Sequence, residues 1–326
     1  MRVVVGLSAV IMAVTGQSPR ILTVRRSTPD PWGSRASGGE LVEALPFGPL
    51  DPVVDRTLDL GLRRWVREQT GIELGYLEQL YTFGDRDRDP GARVLSVAYL
   101  ALTRQVAVEA PGAAWRDLYT YLPWEDWREG VPGLVGARIV PGLRRWAQVV
   151  DDPGVTSRRW ERVTIAFGVD GAPWDRNRVL ERYELLYEAR LVPEARSVPG
   201  GQGPDPAEGL GWTLALDHRR IAATALERLR GKLGYRPVVF EMLPATFTLS
   251  RMQQVVEALA GLRLHKQNFR RLVEQDRLVE RTGEVETGTG GRPAETFRFR
   301  REVLRERPAP GVGLPGRRRP RSPASG

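Results

Sequence analysis

Apolar residues recur at three- and four-residue steps over residues 249–259, near the C-terminal end of the chain. Such spacing places the apolar side chains on one face of an α-helix. Thr248 can cap the N-terminus of this helix, and Gly261 can adopt the left-handed conformation that commonly ends one. A second apolar stripe, which includes Phe269, predicts another helix over residues 265–275. Two helices joined by a short turn are typical of a helix-turn-helix.

The second predicted helix has polar and basic side chains on its outer face. These are Lys266, Gln267, Asn268, Arg270 and Arg271. Gln and Asn can pair with adenine, Arg can pair with guanine, and Lys or Arg can bind phosphate. We therefore expect these five side chains to contact DNA.

Two strand-like segments follow, at residues 278–281 and 296–300, with a flexible turn over residues 283–293. Together they predict a β-hairpin that carries Arg281 and Arg292. A basic hairpin beside an exposed basic helix is what a winged helix presents to DNA. The alternative is a structural helical module with a solvated basic face.

The N-terminal half has both strand-like and helical patterns. The predicted strands cover residues 3–14, 21–25, 77–83 and 94–102. One amphipathic helix is predicted over residues 57–70, since Leu62 and Val66 lie on one face and Gly71 provides a stop. The first two strands are joined by a Gly-Gln-Ser-Pro turn and form a predicted hairpin. Mixed strands and helices of this kind indicate an α+β domain.

Residues 106–206 depart from this pattern and are rich in aromatic residues. Six of the nine tryptophans lie here: Trp115, Trp124, Trp127, Trp146, Trp160 and Trp174. Large aromatic side chains usually mark burial, which favours a helical insert with an aromatic core or a dimer interface; an aromatic cage for a nucleobase is the alternative. One amphipathic helix is predicted over residues 174–190. A long helix capped by Asp217 and ended by Gly234 follows, and residues 235–244 link it to the C-terminal domain.

The net charge of +9 is concentrated near the C-terminal end of the chain. Residues 245–307 contain 13 Lys and Arg against 9 Asp and Glu, and the tail beyond them adds four arginines. The remaining 244 residues are nearly neutral, with 32 basic and 31 acidic side chains. The basic excess thus coincides with the predicted helix-turn-helix, as expected for electrostatic attraction to nucleic acid.

The chain lacks cysteine and has only two histidines, His218 and His265. This composition excludes disulfides, Cys-ligated zinc, thiol catalysis and a multi-histidine metal site. Residues 3–14 are apolar, but they are too short to span a bilayer and continue into a second strand, which indicates a hairpin rather than a signal peptide. We therefore expect a cytoplasmic protein without a membrane segment.

Residues 45–72 resemble a Nudix box, with a Leu-Pro-x-Gly start, a loop, a helix and a Thr-Gly-Ile end. A working box carries several glutamates on its helix to bind a divalent metal ion. When the box is aligned on Gly71, Trp65 and Gln69 stand at two of the three glutamate positions, and only Glu68 remains. The resemblance therefore implies a Nudix-like fold that has no catalytic residues and no metal site.

A degenerate Nudix-like domain followed by a winged helix resembles the Nudix-related transcriptional regulators of NAD metabolism, the NrtR type. The most specific segments of the resemblance are residues 81–85, 94–102, 266–271 and 290–294. In that family, a Nudix domain that responds to ADP-ribose controls DNA binding by a winged helix. The resemblance implies ligand contacts at Arg25, Arg26, Glu68, Phe83 and Asp85. Arginines suit a diphosphate, an aromatic ring can stack on adenine, and a carboxylate can bind ribose hydroxyls. For either arginine singly, a charged strand end is the alternative.

We therefore predict an α+β protein, in which a Nudix-like α/β/α sandwich with a helical Trp-rich insert (residues 1–240) is followed by a winged helix-turn-helix domain (241–306). Residues 307–326 are predicted to be a disordered basic tail, because they contain few apolar residues. The predicted function is transcriptional regulation, as a repressor of NAD-related metabolism that binds double-stranded DNA and senses ADP-ribose or a similar nucleotide without a required cofactor. A homodimer is expected, because paired half-sites raise the affinity of single winged helices. The alternative function is a divergent Nudix hydrolase acting on ADP-ribose or another nucleoside diphosphate derivative.

Overall fold

The computed structural model describes residues 3–27, 41–85, 93–196, 210–287 and 293–312. The strands are β1 (Val3–Thr15), β2 (Ser18–Ser27), β3 (Leu41–Ala44), β4 (Phe47–Pro49), β5 (Tyr76–Phe83), β6 (Arg93–Leu102), β7 (Ala113–Asp117), β8 (Phe247–Thr248), β9 (Val279–Glu286) and β10 (Ala294–Phe299). The α-helices are α1 (Leu58–Thr70), α2 (Leu118–Tyr121), α3 (Val140–Gln148), α4 (Pro153–Phe167), α5 (Val179–Glu188), α6 (His218–Leu233), α7 (Leu249–Ala260), α8 (Lys266–Gln275) and α9 (Val303–Glu306). Among the described helices, none is both long and apolar enough to cross a membrane.

Seven strands form the central sheet. Its main path runs β3-β2-β1-β6-β5, while β4 pairs with β1 and β7 pairs with β2. The β1–β6 pair is parallel, with Val3 opposite Arg93 and Met12 opposite Leu102. The other pairs in this sheet are antiparallel. The predicted hairpin of β1 and β2 and the predicted strands β5 and β6 are therefore confirmed.

Helices cover both faces of this sheet because the side chains of β1 alternate between two apolar clusters. Leu7 and Ile11 belong to a cluster with Leu62 of α1. Val10 and Met12 face the other way and belong to the largest cluster, which includes residues of α5, α6 and α7. The result is the predicted α/β/α sandwich, with an apolar layer on each side of the sheet.

Helix α1 begins and ends where its sequence predicts. The Thr57 side chain accepts a hydrogen bond from the Leu60 backbone N–H at 3.2 Å. Gly71 adopts the left-handed conformation with φ of 72°, and its N–H donates to the Arg67 carbonyl. A side chain in that conformation costs energy, so glycine ends the helix at this point.

The Trp-rich insert (residues 106–206) differs from its prediction in two respects. Its strand β7 pairs with β2, so this part belongs to the central sheet. Helix α5 begins at Val179 and not at residue 174, because the Asp175 carboxylate instead accepts a hydrogen bond from the Asn177 backbone N–H at 2.9 Å in a turn. Side chain–backbone hydrogen bonds of this kind compete with the helix.

Helix α6 follows the insert and packs in the centre of the protein. Its predicted inward residues are all fully buried: Ile221, Leu226, Leu229 and Leu233. Asp217 occupies the N-cap position, but its side chain makes no capping hydrogen bond. Gly234 ends the helix with a φ of −75°, so the stop does not depend on a left-handed residue.

The C-terminal domain has the predicted helix-turn-helix. The Thr248 side chain accepts a hydrogen bond from the Arg251 N–H at 3.1 Å, and Gly261 has the left-handed φ of 67°. The hairpin of β9 and β10, called the wing below, is longer than predicted because Ala294 still pairs with Glu286. Strand β8 pairs with β10 and completes a three-stranded sheet.

The winged helix shares its core with the Nudix-like domain. Residues of α7, α8 and β10 belong to the same buried cluster as residues of β1, α5 and α6. A 3-10 helix, Val238–Met242, links the two parts, and its Phe240 stacks on Phe299 at a ring-centroid distance of 4.2 Å. The prediction sets the start of the disordered tail, residue 307, too early in the chain. Val312 is fully buried, and Gly311 packs closely against the backbone of Tyr235.

Candidate DNA interface and ligand site

Helix α8 presents the predicted DNA-contacting side chains to solvent. Lys266, Gln267, Asn268, Arg270 and Arg271 are all exposed. On the opposite side of the helix, Phe269 and Val273 are buried in the core. Because buried and exposed positions follow the helical period, the packing of α8 determines which side chains point outward.

A groove of about 1280 Å³ lies between α7, α8 and the wing. Lys266 and Arg270 line it from α8, Arg251 from α7 and Arg281 from the wing. Guanidinium and ammonium groups placed in this way can bind phosphate oxygens. The second predicted wing arginine, Arg292, lies outside the described residues.

The described part of the wing is less basic than the sequence prediction requires. Arg281 lies 3.1 Å from Glu295, and Arg298 lies 2.6 Å from Glu280. Glu284 is exposed on the same hairpin and also lines the groove. Carboxylates that already pair with these arginines reduce the positive potential available to DNA phosphates. The basic surface is therefore centred on α8.

Two side chains on the helix of the Nudix-like box form hydrogen bonds with the neighbouring backbone. Trp65 Nε1 donates to the Pro49 carbonyl at 2.8 Å, and its ring packs so closely that a Cβ atom on Gly48 would lie 2.2 Å from it. Gln69 Nε2 donates to the Phe47 carbonyl at 2.7 Å, while Gln69 Oε1 accepts from the Phe47 N–H at 3.2 Å. Two of the expected glutamate positions thus serve packing and backbone hydrogen bonding.

The carboxylates near α1 are engaged by an arginine. Asp55 accepts hydrogen bonds from Arg64 at 3.0 and 2.9 Å, and these hold the pKa of Asp55 below its ordinary value. Glu68 is half-exposed and lies 3.4 Å from Arg64. Within the described ranges, no group of three or more His, Asp or Glu side chains could hold a metal ion. The residues present therefore do not fit the divalent metal of a working Nudix box.

The two predicted ligand arginines on β2 point in different directions. Arg26 Nη2 donates to the Phe47 carbonyl at 3.2 Å, and its guanidinium lies 5.3 Å from the centre of the Phe47 ring. Burial lowers the pKa of Arg26. Arg25 is exposed and faces the other side of the sheet, because side chains alternate along a strand. The two guanidinium groups therefore do not form one clamp.

The remaining predicted ligand residues lie elsewhere on the sheet. Phe83 is buried at the end of β5, and Asp85 lies 3.8 Å from Arg220 of α6. Strands β1 and β6 separate β5 from β2. Three strand spacings amount to roughly 14 Å. The structure therefore does not bring Phe83 and Asp85 together with Arg26 and Glu68.

Sequence reasoning missed one polar group on the sheet face that carries Arg25. Glu43 of β3 accepts hydrogen bonds from the Tyr121 hydroxyl and from Arg116 Nε, the latter at 2.7 Å. Burial and the Glu43 carboxylate raise the pKa of Tyr121. No local motif reveals this group, because its members come from three separate elements of the chain.

Sequence reasoning also missed a fully buried ionic group between the insert and the winged helix. Glu125 lies between Arg182 of α5 and Arg230 of α6, and all three side chains are 0% exposed. The only local signal was the position of Glu125 in a segment dense with tryptophan and tyrosine. Buried charges are stable when paired and hydrogen-bonded, and such partners come only from tertiary structure.

The fold and these sites define a class of protein: a Nudix-like sandwich, joined through a shared core to a winged helix with an exposed basic α8. Residues 239–299 match the family described as the NrtR DNA-binding winged helix domain. The winged helix is thus of the NrtR type.

One curated relative matches part of the chain. A stretch of 92 residues is 34% identical to the ADPR responsive transcriptional repressor NtrR of Acinetobacter baylyi. The alignment covers 28% of this chain and only 36% of the length of that relative.

Solved structures match nearly the whole chain. Shewanella oneidensis NrtR complexed with a 27mer DNA has a TM-score of 0.55 at 22% identity, covering 92% of this chain and 95% of its own. A MutT/nudix family protein from Enterococcus faecalis has a TM-score of 0.50 at 16% identity, covering 92% of this chain and 87% of its own. The predicted resemblance to NrtR-type regulators and the predicted fold class are confirmed.

Proposed function

We propose that this protein is a DNA-binding transcriptional repressor of NAD-related metabolism that senses ADP-ribose or a similar nucleotide. The observation that carries the proposal is the exposed polar and basic face of α8, within a domain that matches the NrtR DNA-binding family. The partly matching relative from A. baylyi is named as an ADPR responsive repressor, which supports both the DNA and the nucleotide.

The nucleotide is proposed to bind the Nudix-like domain through Arg25, Arg26, Glu68, Phe83 and Asp85. Arg26 supports this assignment most, because its guanidinium suits a diphosphate and its Nε is buried without a hydrogen-bond partner among the described residues. These five residues do not lie together in the structure. A single bound nucleotide would therefore contact either Arg26 and Glu68 or Phe83 and Asp85. Alanine variants of each pair, tested by isothermal titration with ADP-ribose, distinguish the two.

The proposed sensor binds the nucleotide without hydrolysing it. Trp65 and Gln69 are hydrogen-bonded to the backbone where glutamates of a working box would hold metal. Incubation with ADP-ribose and Mg²⁺ or Mn²⁺, followed by chromatography of the products, tests this. Turnover at an enzyme-like rate would favour the alternative, a divergent Nudix hydrolase.

The proposed regulator acts in the cytoplasm as a homodimer on double-stranded DNA. The support for a dimer is physical, since one winged helix offers a single half-site contact and paired half-sites increase affinity through effective concentration. Sedimentation of the protein with and without DNA gives the stoichiometry of the complex. One protomer per DNA duplex at saturating protein would contradict the dimer.

Fluorescence anisotropy tests the central proposal. The protein is titrated onto DNA from its own upstream region and onto a scrambled duplex at one salt concentration, because phosphate contacts make affinity salt-dependent. Tighter binding to the upstream DNA, changed by added ADP-ribose, is the expected result. Equal binding to both duplexes would contradict sequence-specific regulation, and specific binding without a nucleotide effect would remove ADP-ribose as the effector.

A further inference from the structure

A buried ionic cluster lies where the Trp-rich insert, α6 and the winged helix meet. Arg182 Nε and Nη2 donate to the two Glu125 carboxylate oxygens at 2.6 and 2.9 Å. Arg230 Nη1 donates to Glu125 Oε2 at 2.5 Å. The three side chains, called the Glu125 cluster below, are completely buried. One carboxylate therefore faces two guanidinium groups in a dry environment.

The two arginines of the Glu125 cluster contact different parts of the protein. Arg182 Nη1 donates to the carbonyls of Ala166 and Asp175, which both belong to the insert. Arg230 Nε instead donates to the Leu259 carbonyl of α7 at 3.0 Å. Arg230 is thus the member that connects the insert to the winged helix.

The insert and α6 together satisfy the C-terminal end of α7. The Tyr119 hydroxyl donates to the Ala258 carbonyl at 2.6 Å, and the Trp127 N–H donates to the Gly261 carbonyl at 2.8 Å. With Arg230 on Leu259, three carbonyls at this end receive donors from outside the winged helix. The end of a helix has unsatisfied carbonyls and a partial negative charge, so a buried arginine is favoured there.

Gly261 permits this close docking. A Cβ atom at this position would lie 2.3 Å from the Glu125 carbonyl oxygen and 2.5 Å from Arg230 Nη2. The glycine that ends α7 therefore also lets the Glu125 cluster reach the helix end. Any larger residue would separate the winged helix from the insert.

Tryptophans of the insert shield the cluster from water. Trp127 and Trp174 stack at a centroid distance of 4.5 Å. The guanidinium carbons of Arg182 and Arg230 lie 5.0 and 5.9 Å from the centroid of the Trp174 ring. Removing water strengthens the ionic contacts and makes the loss of one partner costly. This arrangement gives the aromatic residues of the insert a specific role.

We infer that the Glu125 cluster is the joint that positions the winged helix on the Nudix-like domain, with Arg230 as its positioning residue for DNA binding. The insert is then a docking platform for α7, and a change in its packing moves α8 and the wing together. The inference rests on the proposed function only in its second part, that a nucleotide effect on DNA affinity passes through this joint.

The orientation of the winged helix can be measured without DNA or nucleotide. Because the chain has no cysteine, Gln79→Cys on β5 and Gln275→Cys at the end of α8 give two unique spin-label sites, both exposed. Pulsed electron paramagnetic resonance on labelled protein diluted into an excess of unlabelled protein, so that a homodimer carries one labelled protomer, then reports the distance distribution between the sheet and the winged helix. The unmodified background is expected to give one narrow distribution.

Arg230→Met and Arg182→Met form a matched pair of variants. Each removes one buried guanidinium from Glu125 and leaves the other ion pair, but only Arg230 contacts α7. We expect Arg230→Met to broaden or shift the distance distribution and Arg182→Met to leave it unchanged. Equal effects of both variants, or no effect of Arg230→Met, would overturn the inference. If Arg230→Met does not fold, Tyr119→Phe removes the neighbouring contact to Ala258, and its spin-label distance distribution is measured in the same way.

The second part of the inference is tested by DNA affinity with and without ADP-ribose. We expect ADP-ribose to change the dissociation constant for DNA by a factor that is about threefold smaller in Arg230→Met than in the unmodified protein. Titration of Arg230→Met with ADP-ribose alone should show unchanged binding of the nucleotide. In Arg182→Met the nucleotide effect should persist. A full nucleotide effect in Arg230→Met would overturn transmission through the joint. If the unmodified protein shows no nucleotide effect, the proposed function fails, whereas the spin-label distances still decide the positioning role.

Discussion

At the level of single residues, two side chains of α1 bind the neighbouring backbone of the Nudix-like domain. Trp65 and Gln69, at two positions where the resemblance to a Nudix box predicts glutamates, form hydrogen bonds with the backbone at Pro49 and Phe47. Both side chains are part of the packing between α1 and the segment before it. The same positions that would bind metal in a working box here hold the structure together.

A carboxylate at position 69 should lower the stability of the folded protein. Gln69→Glu removes the amide donor to the Phe47 carbonyl and places a negative charge against that oxygen. We expect a loss of about 1 kcal/mol in the free energy of unfolding, the usual net contribution of one hydrogen bond, because Arg26 still donates to the same carbonyl. Urea unfolding measures it, with Glu68→Gln as the control because Glu68 is half-exposed. Equal stability of the two variants would contradict this role for Gln69.

On α8, individual side chains should separate base reading from phosphate binding. Asn268→Ala and Arg270→Ala are each expected to weaken specific DNA binding by about 1–3 kcal/mol, the range of a bidentate base contact. Binding to scrambled DNA should change less. Anisotropy titrations with both duplexes at equal salt provide the measurement, and an equal loss on both would indicate phosphate contacts only.

At the level of elements, α8 and the wing differ in the charge that they contribute to the candidate DNA interface. Helix α8 exposes three basic side chains, Lys266, Arg270 and Arg271, whereas the wing pairs Arg281 and Arg298 with carboxylates. The helix and the wing therefore differ in the charge that they offer to phosphate. Contacts across the antiparallel strands of the wing cause this difference. Glu280 lies directly opposite Arg298, and Glu295 is a diagonal cross-strand neighbour of Arg281, so both carboxylates are close enough to pair with an arginine.

Releasing the wing arginine should strengthen DNA binding. Glu295→Gln removes the partner of Arg281, so this guanidinium becomes available to a phosphate. We expect higher affinity for both specific and scrambled DNA and a salt dependence steeper by about one counterion. Glu302→Gln is the control, because it changes the net charge equally at an exposed site outside the wing. The same gain in both variants would mean that net charge alone is responsible.

The loop before α1 should be sensitive to acid through Asp55. Its pKa is held below the ordinary value by Arg64, so ionised Asp55 stabilises the folded state above the ordinary pKa, and this contribution is lost as the pH falls through the lowered one. Asp55→Asn should be less stable than the unmodified protein at neutral pH, by about 1.5–3 kcal/mol for hydrogen bonds to a charged group. The difference should vanish in strong acid. Unfolding curves across this range would contradict the role of Asp55 if the difference were constant.

The whole molecule is organised by one core that crosses the boundary between its two parts. Residues from β1, α5, α6, α7, α8 and β10 belong to a single buried cluster. Val312, beyond the winged helix, also belongs to it. Separating the winged helix would therefore expose apolar surface on both sides, which opposes independent motion of the two parts.

Thermal unfolding should consequently be a single cooperative transition. Calorimetry is expected to give one peak for the whole chain. Fluorescence of the tryptophans and circular dichroism of the helices should report the same midpoint. Two resolved peaks, one for each part of the chain, would contradict the shared core.

The sequence by itself determined the local elements and the exposed face of α8. Gly71, Thr248 and Gly261 bound their helices as predicted, because caps and left-handed glycines act through neighbouring residues only. Alternation along β1 likewise follows from the two-residue period of a strand.

Tertiary structure alone decided how distant residues combine. It placed β7 in the sheet, paired the wing arginines with carboxylates, separated Arg26 from Phe83 and buried Glu125 between Arg182 and Arg230. Each of these outcomes depends on which elements become neighbours in space, and residues far apart in the chain carry no local pattern that specifies it. A buried charge in particular is stable only where folding supplies its partners.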